Sequence, residues 1–483
     1  LAWLGWLVSS TLFAEPGGMS YCEWFATRLG PRYREFLLRQ PNPRRFTERT
    51  AVRQALSLRP RHCGNLAAEF RAKELFPRVV DENSGKIGVL LPLTGPDAET
   101  GLALRKGLEA ALGPDSARML VRDTGSDARR AEEALAELLF RENVLLVVAG
   151  GPSSSIAPLV PWSEALVFPM IVLAGEKAPL GSSRFAFRVY PREQDMAYAL
   201  VESARQRGLR RLGLLRPDDG SADALIAQVH AFGRAASLDI AAPVEYKSGD
   251  FRSMEAAVRT LFHIDRSQRA AEYARLVKNA RRRAEEARVP FDPRSVILKP
   301  IVEIDGLLVP DNFRIVRHFA KLLKYHGVKR LVLFGDTGWR SAGLLSPPEP
   351  FLEGSFFADF IGAYSQLPPG IAISTAGDFP DPREASAADF ALIGWRAGRI
   401  LRLALRLETG RRKFPRALAR LPSPDPDLFG GGPAFDETRA ARWPVYVFSV
   451  GPNRLTMEES PYFGTRAPAA EAGPPPPPSL ASP

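Results

Sequence analysis

The sequence predicts an α/β protein built on parallel sheets laid down in two successive sets. From Lys86 onward, short apolar runs alternate with amphipathic stretches, as expected of strands buried on both faces and joined by helical crossovers. That alternation runs once as far as Leu173 and begins again at Leu212. Over 483 residues, 45% are hydrophobic and 25% charged, enough apolar surface for several buried cores. This balance excludes a disulfide-held miniprotein, a disordered chain and a multi-span membrane protein.

The elements follow in order. Leu1 to Ala14 is an apolar run ahead of Glu15-Pro16-Gly17-Gly18. It is shorter than the roughly 20 residues of a spanning helix, so residues 1–14 read as a signal-peptide core and predict a periplasmic or otherwise exported protein with no stable membrane span. No lipid-attachment box is present, because Met19-Ser20-Tyr21 precede Cys22. Residues 15–85 read as a helical preface, with Trp24, Phe25, Leu29, Phe36, Leu37 and Leu38 recurring among arginines. Ile87 to Leu91 is the first strand. The helix after it places Leu104, Leu108, Ala111 and Leu112 on one face, and the helix after the strand Met119 to Val121 does the same with Ala131, Leu135, Leu138 and Leu139. Strands at Val144 to Val148 and Met170 to Leu173 complete the first set. The second set has strands at Leu212 to Leu215, Gly306 to Val309 and Leu331 to Phe334, with a solvated helix in Asp265 to Val289. From Gly464 the chain is Ala/Pro-rich and contains Pro474 to Pro478, so 464–483 read as a disordered tail.

Two cysteines, Cys22 and Cys63, are too few for a structural zinc site. Both lie in the preface, where a bridge closing a loop of about 40 residues is worth roughly 2–4 kcal/mol, and we expect it in the exported protein. The net charge of +11 comes from interleaved signs along the chain and does not by itself call for nucleic acid. The first βα turn, Leu93 to Gly101, lacks the glycine pattern of a dinucleotide turn and the lysine of a phosphate loop. Five histidines never form a zinc-protease pair, and no serine sits in a nucleophile elbow. His318 falls beside the apolar Ile315/Phe319/Leu322 stripe and reads as a core-edge residue. The expectation is a protein that binds without catalysis, with no metal or cofactor.

The polar groups that remain cluster after strands, where open α/β sheets hold ligands. Gly150-Gly151-Pro152-Ser153-Ser154-Ser155 opens a helix, so its hydroxyls and free N–H groups suit a carboxylate. Glu176-Lys177, Asp218-Asp219, Asp311-Asn312 and Asp336 occupy equivalent strand ends, and Thr94 stands in the first turn. Each alone is ordinary turn and cap chemistry; their joint placement marks a candidate cleft.

Lys86 to Gly95 (KIGVLLPLTG), with Gly101 and Gly107 in the next helix, resembles the opening of type I periplasmic binding proteins of the leucine-binding class. Asp123-Thr124, then Phe187 to Pro191 as a crossover, then Phe435-Asp436 and Val445 to Phe448 as the last strands, resemble the same family in order, over about residues 86–456. The resemblance implies two doubly wound parallel-sheet lobes joined by three crossovers, with ligand held between them. It implies lobe 1 at 86–191 plus 336–440 and lobe 2 at 192–335 plus 441–460. In amino-acid-binding members serines before a helix hold the carboxylate, as Ser153 to Ser155 would here, and Asp311 and Asp336 would face the ammonium. Where such members have a small residue and a hydroxyl, this chain has Glu176 and Lys177, and Asp218-Asp219-Gly220 brings no aromatic ring. Asp123-Thr124-Gly125 and the helical insertion before Ile304-Asp305-Gly306 resemble the penicillin-binding-protein activator branch. The leading expectation is therefore a regulator that touches a peptidoglycan synthase, its cleft filled by Glu176 and Lys177. The alternative is a transporter's receptor for an amino acid or another small polar ligand.

Overall fold

The computed structural model describes residues 84–463 apart from 141, 166–167, 176–178, 182, 363–366, 369, 372–381, 412, 453 and 459–460. The expected signal-peptide core, nearly all of the expected helical preface with Cys22 and Cys63 and the bridge expected between them, and the expected tail 464–483 lie outside the described residues. The chain forms two compact units. The first runs to Pro191 and is completed by Pro382–Arg442; the second takes Arg192–Tyr364 and the chain from Trp443.

The first unit opens with β1 (Ile87–Leu91), α1 (Ala98–Leu112), β2 (Met119–Asp123), α2 (Ala128–Phe140) and β3 (Leu146–Gly150). It continues with the short α3 (Ser153–Ile156) and α4 (Val160–Ala165), then β4 (Met170–Leu173) and β5 (Ala186–Arg188). Its sheet has the order β2-β1-β3-β4-β5 with every pair parallel. β1, β3 and β4 are buried along their whole length, which is why they read as unbroken apolar runs instead of alternating ones. Leu104, Leu108, Ala111 and Leu112 of α1 and Ala131, Leu135, Leu138 and Leu139 of α2 are all buried, as their spacing predicts.

The second unit repeats the plan. It contains α5 (Glu193–Gln206), β6 (Arg211–Pro217), α6 (Asp223–Ala235), β7 (Asp239–Ile240), β8 (Val244–Tyr246), α7 (Phe251–Leu261) and α8 (Ala270–Ala287). β9 (Gly306–Leu308), α9 (Phe313–Tyr325), β10 (Val332–Gly335) and β11 (Phe356–Asp359) follow. Helix α8, inside the expected Asp265 to Val289 insertion, has no buried residue. The chain then returns to the first unit as α10 (Pro382–Leu407), α11 (Phe414–Arg420) and α12 (Pro426–Phe429). It ends in the second unit with β12 (Pro444–Val450), β13 (Leu455–Met457) and β14 (Tyr462–Phe463). The second sheet has the order β13-β12-β11-β10-β9-β6-β7, with β8 also on β6; it is parallel as far as β11 and antiparallel at β12 and β13.

One expected boundary moves. Residues 336–364 belong to the second unit, not the first, because β11 pairs in parallel with β10, Phe334 opposite Phe356. The intervening stretch makes three short 3-10 turns and folds back onto its own sheet. The return to the second unit comes at Trp443, just past the expected 440/441. Phe435-Asp436 is also no strand: Phe435 makes a single bridge to Ala441.

Two glycines of the opening motif are explained by close approach. A Cβ on Gly101 would run into the Pro92 carbonyl, and one on Gly107 into the Ala391 carbonyl of α10. Gly394 of α10 reciprocates against the Leu104 carbonyl, so α1 and α10 pack backbone to backbone.

Candidate functional site

Within an open parallel sheet, ligands bind beyond the carboxyl ends of the strands at the point where strand order reverses. In the first unit that point lies between β1 and β3; in the second it lies between β6 and β9. Each unit therefore presents one such edge.

In the first unit, the Asp123 carboxylate at the end of β2 organises the loop after β1. Its Oδ1 accepts from the N–H groups of Leu93 (2.8 Å), Thr94 (3.1 Å) and Gly125 (2.9 Å). Its Oδ2 accepts from the Thr94 hydroxyl at 2.6 Å and faces Arg130 Nη2 at 3.0 Å. Burial alone would raise this carboxyl, but the Thr94 hydroxyl and the three N–H groups hold it at about 2. Thr94 is thus engaged in shaping its own loop. Of the three serines, Ser155 is buried and donates to the Pro152 carbonyl at 2.9 Å. Ser154 is exposed and Ser153 half-buried beside Gly175; a Cβ on Gly175 would lie 3.9 Å from Ser153 Oγ and 3.7 Å from the Tyr190 ring. Tyr190, read in the sequence only as part of a crossover, brings an aromatic ring to this edge. Glu176 and Lys177 lie outside the described residues.

The second unit gathers more of the expected residues. Asp311, after β9, accepts on Oδ2 from the Tyr246 hydroxyl (2.8 Å) and the Ser248 hydroxyl (2.7 Å). Its Oδ1 accepts from the N–H and side-chain amide of Asn312 at 2.7 and 2.8 Å. Asn312 in turn caps α9 by accepting from Arg314 N–H at 3.1 Å. Asp336, after β10, accepts from Gly338 N–H at 3.0 Å. Its carboxyl is packed round by protein, and burial pushes it up to about 6; the Gly338 N–H opposes the rise and the Asp311 charge adds to it. Burial, together with the charges of Asp311, Asp336 and Asp219, drives the Tyr246 hydroxyl upward, so it stays protonated and donating.

The other two acids are looser. Asp218 is exposed, its N–H donating to the Tyr246 carbonyl at 2.9 Å, and Asp219 is exposed and closes its own turn by accepting from Ser221 N–H at 2.8 Å. The loop after β10 is pinned by Trp339, which is fully buried and donates to the Val309 carbonyl at 2.9 Å. A Cβ on Gly338 would lie 2.7 Å from the Asp311 carbonyl oxygen, so the acids come together only because that position is glycine. Sequence reasoning missed Tyr246, Ser248 and Trp339. The aromatic ring expected but absent at Asp218-Asp219-Gly220 arrives instead from β8, a three-residue strand whose sequence, Val-Glu-Tyr, carries too little pattern to read.

This edge can accept hydrogen bonds from a cation or a polyol. Among the described residues no group of acids, histidines and cysteines is arranged to hold a metal, and no helix is long and apolar enough to cross a membrane.

Residues 84–261 match the family model described as periplasmic binding protein. No curated protein matches the chain. Among solved structures, a putative branched-chain amino acid ABC transporter protein from Rhodospirillum rubrum is 16% identical, with 77% of this chain and 100% of that one covered and a TM-score of 0.54. A solute-binding protein of an ABC transporter from Rhodopseudomonas palustris HaA2, solved with p-hydroxybenzoic acid, is 14% identical over 79% of this chain and 98% of that one, with a TM-score of 0.51. An ABC transporter substrate-binding protein from Aeropyrum pernix is 14% identical over 80% and 97%, also with a TM-score of 0.51. Neither the penicillin-binding-protein activator branch nor a peptidoglycan-synthase partner finds support in these matches. The fold is that of the type I periplasmic binding proteins, mixed α/β with parallel sheets.

Proposed function

We propose that this chain is an exported, non-catalytic receptor that delivers a small polar solute bearing a protonated amine, an amino acid or a close analogue, to an ABC transporter. The observation that carries this reading is the convergence of Asp311 and Asp336 with the Tyr246 and Ser248 hydroxyls at the strand-order reversal of the second unit. An ammonium there would be met by two carboxylates, and its charge would offset the burial and the Asp311 charge that together keep Asp336 high. The solute-binding proteins with the same fold support the class of function. The Rhodopseudomonas protein was solved with a hydroxybenzoic acid; an anion without an amine suits this acidic edge poorly, so amines lead.

The test is a thermal-shift panel of amino acids and hydroxybenzoates on the full chain. A ligand at 100 times its Kd adds about 2.7 kcal/mol, a displacement that is easily read. Asp311→Asn and Asp336→Asn are expected to abolish the shift given by the amine ligand while leaving a folded protein. A panel in which no amine shifts melting, or in which both variants respond as the parent does, would defeat the proposal.

A further inference from the structure

Against the interleaved charge of the rest of the chain, one stretch is markedly basic. Between Arg396 and Arg420 stand nine of its Lys and Arg residues against a single acid, Glu408. That stretch forms the second half of α10 and all of α11, in the first unit. Arg399, Arg402 and Arg406 recur at the three- and four-residue spacing of one helix face, and with Leu403 and Pro424 they line an open cavity.

The three guanidiniums are not equivalent. Arg399 is held, with Nη2 2.9 Å from Asp425 Oδ1 and its guanidinium 5.5 Å from the Trp395 ring centre. Arg402 has no carboxylate facing it among the described residues, and its Nε is buried without an acceptor. Arg406 is exposed in the last turn, where a cation is already favoured by the carbonyl end of the helix. Arg402 lies a full turn further in, beyond the reach of that effect, so helix chemistry does not account for it.

We propose that this cavity binds a phosphate group, Arg402 and Arg406 donating to its oxygens while Asp425 holds Arg399 beside them. A single carboxylate is satisfied by one guanidinium fork, as Asp425 is by Arg399. Two further forks on one face call for an anion with more oxygens and more charge, and arginine's planar geometry suits phosphate. Soluble phosphate esters and anionic phospholipid headgroups share that chemistry.

Two arms separate the sources, both on the full chain: calorimetric titration with glycerol 3-phosphate, and co-sedimentation with vesicles of phosphatidylglycerol in phosphatidylcholine against phosphatidylcholine alone. Arg402→Ala/Arg406→Ala is compared with Arg282→Ala/Arg283→Ala, which removes the same charge from α8. Arg402→Lys keeps the charge, loses the fork and reports on the cavity should the double variant fail to fold. Saturable binding of glycerol 3-phosphate, weakened roughly tenfold or more by the cavity pair and by Arg402→Lys but not by the α8 pair, supports the site with a soluble ligand. Sedimentation with phosphatidylglycerol alone, with the same variant pattern, supports it with a headgroup. Binding in neither arm, or equal weakening by both pairs, overturns it.

Discussion

Two carboxylates in this protein titrate in opposite directions, and their consequences for stability oppose each other. Asp123, held at about 2, is ionised in the folded chain where an unfolded one would begin to take protons. It contributes stability above the ordinary aspartate range, and that contribution is lost as pH falls toward 2. Asp336, raised to about 6, binds its proton more tightly folded than unfolded. Its penalty is absent below about pH 4 and grows as pH rises through 6, to a scale of ~3 kcal/mol. Asp123→Asn should therefore lower the melting temperature at pH 7 and have little effect near pH 2. Asp336→Asn should raise it at pH 7 and lose that advantage near pH 4, even as it removes solute binding. Melting curves of both variants across pH 2–8 read the two signs. Because an amine ligand favours ionised Asp336, its affinity should also strengthen between pH 5 and pH 7, which titration calorimetry at the two values checks.

At the scale of elements, the tightest packing is backbone to backbone between α1 and α10, and it depends on Gly107 and Gly394. Gly107→Ala forces a methyl into the Ala391 carbonyl and should cost several kcal/mol, on the order of 2–4, although alanine is the better helix former. Chemical denaturation of that variant shows which preference wins. Helices α1 and α2 were legible because apolar spacing sustained over more than two turns leaves one solution, and β1, β3 and β4 because continuous apolar runs bounded by polar turns do the same. β8 and β11 were not legible. Three or four residues carry no period, and β11 is recognised only through its partner β10. That omission misplaced the 336–364 stretch. The candidate site followed the same rule: Asp311, Asn312 and Asp336 stand after strands that could be read, whereas Tyr246 ends, and Ser248 follows, one that could not.

For the whole molecule, both units use one strand order, and each is finished by chain that leaves and comes back. The first unit begins folding its sheet at Ile87 but receives α10 only from Pro382, after the entire run from Arg192 to Tyr364 has gone to the other unit. Chain synthesis proceeds at roughly 5–20 residues per second, so α1 waits tens of seconds for the helix that covers it. During that interval its glycine-notched face has no mate. Ribosome-bound chains arrested near residue 330 should be cut by protease within 98–112, and chains carried past 442 should resist. A first unit so arranged stays incomplete until α10 arrives, and an incomplete unit is one that an export channel can still thread.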